Sequence, residues 1–156
     1  MHSTIFELQP VAIRKESWAT ENNFTYNRNI DYCMILEGER RRERIELLYS
    51  CEWFNLLFDA GQNETIIYRG KSALKRFKKQ WYRQMQKALI DIIYKGSSDT
   101  WRLEYAAKKP FEVETMFCIP AWTGDDAVYT QELITYLETL EDNTTLYICS
   151  VFDYHF

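Results

Sequence analysis

Residues 71–95, KSALKRFKKQWYRQMQKALIDIIYK, are the longest uninterrupted periodic stretch of the chain, and Gly70 and Gly96 bracket them. Leu74, Phe77, Trp81, Met85, Ala88 and Ile92 recur every three or four residues, which places them on one face of a helix. Arg76, Lys79, Arg83 and Lys87 recur in the same way on the opposite face. At 1.5 Å per residue the helix runs to roughly 35 Å, enough to cross a small domain. One stripe therefore needs a core to lie on, and the other needs water, a counter-charge or a partner.

A chain of 156 residues supplies that core within a single domain. Eleven Tyr, nine Phe and five Trp make the expected core rich in aromatic rings, with some rings left for a recognition surface. The start, MHSTIFELQPVAIRKE, lacks a basic region followed by a long apolar run, so no export signal is read there. No apolar stretch approaches the roughly 18 residues of a membrane span. The expectation is an intracellular, cytoplasmic protein without a membrane partner. Cys33, Cys51, Cys118 and Cys149 are scattered without a C-x-x-C pair, which reads as reduced core thiols. On that reading the N-x-[ST] matches at Asn23, Asn63 and Asn143 are not glycosylated.

Strands are predicted at Thr4–Ile13, interrupted or edged by Pro10, and at Asp31–Leu36, Glu64–Tyr68, Thr100–Tyr105, Glu112–Ile119 and Thr145–Phe152. Gly38-Glu39 is read as a turn leading into a further strand over Glu43–Tyr49. A helix across GERRRERIELLY competes with that hairpin, because Glu and Arg are good helix formers. Two shorter helices are expected, at about 51–60 behind a Ser50 cap and closed by Gly61, and at about 126–141 with Asp125 and Asp126 near its start. The fold class is α+β: a single domain, a mostly antiparallel sheet, and the long helix packed on it.

Charge is distributed unevenly. Residues 68–109 hold twelve Lys or Arg against three acids, a net of +9, whereas residues 110–156 hold nine acids and no Lys or Arg. The first 67 residues carry seven basic and eleven acidic side chains, which completes the overall net charge of −4. Within 71–95 seven cations precede the first acid, Asp91, although cations near a helix N-terminus oppose the macrodipole and like charges four apart repel. Three arrangements offset this: the acidic segment covering the basic helix, a polyanion following the stripe, or a protein partner. The acidic overall charge speaks against a general nucleic-acid binder but leaves a local stripe open.

Catalytic signatures are missing. Gly70-Lys71-Ser72 resembles the tail of a phosphate-binding loop, but Thr65 stands where that loop needs glycine, which leaves a single anion at the helix start, helped by Lys71. The only histidines, His2 and His155, lie at the two ends and become useful only if the ends meet. Glu104, Glu112, Glu114, Asp125 and Asp126 form a metal site only if the fold gathers them, so no metal and no cofactor is expected. The sequence reading is a small binding or inhibitor-type protein that occludes a protein partner, with Trp122, Asp125, Asp126, Tyr129 and Tyr136 at the interface. Its alternative is a nucleic-acid-associated protein that lays Lys71, Arg76, Lys79, Arg83 and Lys87 against phosphates.

Overall fold

A computed structural model describes residues 2–24, 32–95, 100–111, 115–124 and 126–155. The last strand, β7 (Thr145–His155), is its centre. It is eleven residues long and buried along most of its length, as a strand with neighbours on both edges must be. On one edge it pairs antiparallel with β1 (His2–Gln9), which in turn pairs parallel with β5 (Thr115–Cys118); β6 (Ala127–Tyr129) closes that side. On the other edge two short strands lie end to end along β7. They are β2 (Tyr32–Ile35) and β4 (Thr65–Tyr68), the latter edged by β3 (Phe58–Ala60). The sheet order is therefore β3-β4-β7-β1-β5-β6, with β2 as a second partner of β7. Every pairing except β1–β5 is antiparallel, as expected.

Two local devices keep β7 satisfied. Opposite Glu7 the register slips, with Phe6 facing Val151 and Leu8 facing Ile148, so β7 carries one extra residue. The Ser150 amide at that bulge donates to Glu7 Oε2 at 3.2 Å, and the Ala19 amide donates to the same oxygen at 2.9 Å. On the far edge, Arg41 bonds the Ile148 carbonyl at 3.2 Å. The same guanidinium pairs with Glu64 and lies 5.4 Å from the Trp18 ring centre.

Helices cover one face. They are α1 (Gly38–Ser50), α2 (Glu52–Leu57), α3 (Lys71–Lys95), α4 (Trp101–Lys108), the single turn α5 (Pro120–Thr123) and α6 (Thr130–Leu137). Between them and the sheet lies the expected aromatic core. Trp53 meets Phe54, Phe111 and Phe117, while Phe111 also meets Phe77 and Trp81, so one ring network joins α3 to β5. The other face is covered by two 3-10 turns, Lys15–Ser17 and Glu21–Phe24. Phe24 packs there with Ile5, Met116, Phe152 and Tyr154.

The chain departs from several sequence expectations. The predicted hairpin strand over 43–49 is part of α1, because Arg41, Ile45 and Leu48 all turn inward, a spacing of four and three that a strand cannot present on one face. The predicted strand 100–105 is α4, where Ala106 is buried and the Ala107 carbonyl accepts from Trp81 Nε1 at 2.9 Å. Helix 51–60 stops at Leu57, because Phe58–Ala60 pairs with β4. Cys51, not Ser50, precedes it. Helix 126–141 starts at Thr130 and ends at Leu137, with Ala127–Tyr129 drawn off as an edge strand. Its first-turn carboxylate is Glu132, which accepts from the Tyr129 amide at 2.9 Å, rather than Asp126. β1 stops at Gln9, immediately before Pro10.

Candidate functional site

Burial along α3 is graded. Of its predicted core face, Leu74, Phe77 and Trp81 are buried, whereas Met85, Ala88 and Ile92 are only half-buried. The sheet side of α3 therefore runs out after Trp81. From there the helix continues for about 20 Å with α4 beside it, an αα-hairpin standing off the sheet.

The start of α3 is where the acidic C-terminal segment meets the basic one. The Lys71 amide donates to Asp142 Oδ1 at 2.7 Å, and Lys78 pairs with Glu138. That hydrogen bond raises the Lys78 ammonium above its usual pKa. Gly70 has φ +90°, and a Cβ there would sit 2.3 Å from Asp142 Cγ, so the position is closed to other residues. The anion expected at this helix terminus is thus supplied by the chain itself, which corrects the reading of Lys71 as part of a vacant anion site. It also places negative charge where the macrodipole needs it.

The contact with the acidic segment does not extend to the stripe. Arg76, Lys79, Arg83 and Lys87 are all exposed and line a shallow groove with Gln80 and Gln84. Arg76 bonds Ser72 Oγ at 3.1 Å, and among the described residues Lys79, Arg83 and Lys87 have no ion-pair partner. The basic face is open.

Further along, the same face changes chemistry. Ile90 and Tyr94 follow Lys87 at spacings of three and four, and Leu89 and Ile93 lie beside them. All four are exposed, Ile93 to 67% and Tyr94 to 87%, and so are Trp101 and Tyr105 on α4. Exposed apolar residues scattered singly are ordinary, but a run on one hairpin marks an interaction surface. These residues were missed from the sequence. The available signal was Ala88–Tyr94, where six of seven residues are apolar, more than one core-facing stripe can bury.

The interface predicted in the acidic region is smaller than expected. Trp122 and Tyr129 are exposed, and so is Asp126, whereas Asp125 lies outside the described residues. Tyr136 is 6% exposed, which removes it from the surface. It faces inward from α6, with its ring 5.4 Å from that of Trp122, and burial raises its pKa.

Register brings the two chain ends together, pairing His2 with His155 across β1 and β7. Among the described residues no three His, Cys, Asp or Glu side chains gather to hold a metal, and Glu112, Glu114 and Asp125 lie outside them. The four cysteines form no disulfide, and burial pushes the Cys33 and Cys149 thiols up to about 12. No described helix is long and apolar enough to cross a membrane. The sequence matches no family model, no curated protein and no solved structure.

Proposed function

We propose that this protein is a binding module that docks a protein partner with the outer side of the α3–α4 hairpin. One observation carries the reading: the exposed face of α3 that is cationic from Arg76 to Lys87 turns apolar at Ile90 and Tyr94, and exposed Leu89 and Ile93 widen the apolar surface on the adjacent face. A phosphate backbone would engage the cations but has no use for Leu89, Ile90 and Ile93. A protein surface with an acidic rim beside an apolar pocket uses both. Such interfaces take affinity from aromatic and Arg anchors, and on-rate and register from charge. Relative to the sequence reading, the partner remains a protein and the proposed surface moves from the acidic segment to the basic helix.

The test uses three baits in nuclease-treated extract of the native host. They are the wild-type chain, an Arg76/Lys79/Arg83/Lys87→Glu variant and an Ile90/Ile93/Tyr94→Ser variant. The expected result is a protein retained by wild type, lost from both variants, and rebound when purified. Retention seen only in a parallel extract left without nuclease overturns the proposal. So does retention that survives loss of the apolar residues, or the absence of any retained protein.

A further inference from the structure

Beside the ridge, a second row runs along α3: Lys71, Lys75, Lys78 and Tyr82, then Leu89 and Ile93. Between this row and the end of α6 lies an open groove of about 860 Å³. Leu74 and Tyr82 form its apolar part, cations flank it, and Glu138 lines it, paired with Lys78. Its apolar wall is continuous along the helix with exposed Leu89 and Ile93.

From this groove we infer that the partner's contacting element is one acidic amphipathic helix laid lengthwise along α3. The inference rests on the function proposed above and names the element that the surface receives. Three features of the groove specify it. First, of the five cations that line it only Lys78 is paired, with Glu138, and Lys75, Lys79 and Arg83 have no ion-pair partner among the described residues, so the ligand supplies carboxylates. Second, those cations stand four residues apart, about 6 Å along α3, which is the spacing at which a partner helix presents an acid at every fourth residue. Third, the surface from Lys75 to Ile93 is about 27 Å long, which fits a partner helix of about 18 residues. Helix-in-groove recognition of this kind is read through anchors at i, i+3, i+4 and i+7. Here Tyr82, Leu89 and Ile93 receive the apolar anchors and the cations receive Asp or Glu.

The test is a display library of random 18-residue peptides selected on the full chain. Selected sequences are then measured against Lys75/Lys79/Arg83→Glu and Leu89/Ile93→Ser variants and followed by circular dichroism. The expected peptides carry acids together with apolar residues at helical spacing. They gain helicity on binding and lose at least tenfold in affinity for each variant. Acidic peptides without apolar periodicity, peptides that bind extended, or an empty selection overturn the helix while leaving the bait experiment to judge the proposed function. Variant-sensitive binding of duplex DNA or of phosphatidylserine vesicles, with no peptide selected, overturns both.

Discussion

The Lys71 amide and the Asp142 carboxylate, 71 residues apart in sequence, meet at 2.7 Å and seal the start of α3. The contact satisfies an amide that the helix itself leaves unpaired and sets a negative charge against seven cations. Asp142→Ala is therefore expected to destabilise the fold by about 1 kcal/mol, the usual value of a lost N-cap. For a chain of this length that is roughly 2–4 °C in Tm. Asp142→Asn, which keeps an acceptor, should lose less. An Asp142→Ala protein that melts with the wild type would show that the contact contributes nothing.

Glu7 is 1% exposed and accepts three hydrogen bonds, from Gln9 Nε2 at 2.7 Å and from the Ala19 and Ser150 amides. It ties the loop over the second face to the bulge in β7. Glu7→Ala leaves two buried backbone donors without an acceptor, each worth about 1–3 kcal/mol. The expected loss in urea unfolding is about 3 kcal/mol. A loss below about 1 kcal/mol would mean that the amides find other acceptors.

Alkaline pH should unfold the protein earlier than its charge alone suggests. Burial moves Cys33 and Cys149 from 9.0 to about 12, and Tyr68 from 10.0 to about 12, helped by nearby carboxylates. The folded chain then holds protons that the unfolded chain releases from about pH 9 upward, so stability is complete below pH 9 and is lost as pH rises towards 12. Melting curves between pH 8 and pH 11 should show Tm falling steadily above pH 9. A flat Tm up to pH 11 would contradict the assignment. The two thiols should also react with a disulfide reagent at pH 8 far more slowly in the folded than in the unfolded chain.

What the sequence made legible follows the length of each signal. The helix over 71–95 repeats its pattern for seven turns, and its ends match α3. The apolar runs of β2, β4, β5 and β7 were also readable, because buried strands need little more than an apolar run. Arg41 misled the reading of α1, since a half-buried Arg near the Trp18 ring carries no apolar mark. The three-residue strands β3 and β6 are specified by their partners rather than by their own residues, so the flanking helices were drawn too long. At the site, the cationic row was visible as spacing. That Leu89, Ile90 and Ile93 stay exposed depends on where the sheet ends beneath α3, which no local pattern encodes.

Lys75→Glu separates stability from recognition. Lys75 is exposed, lies in the second turn of α3 and has no ion-pair partner among the described residues. With Lys71 and Lys79 four residues away on either side, it takes part in two like-charge pairs. Reversing it replaces both repulsions with attractions and places an acid near the helix start, each change worth a few tenths of a kcal/mol. The variant should therefore melt about 2 °C higher than the wild type, with the gain shrinking at high salt. Affinity for the partner helix should fall several-fold, most at low salt. A variant that melts lower would show that the cations serve the fold. One that melts higher with undiminished affinity would place the docking surface elsewhere.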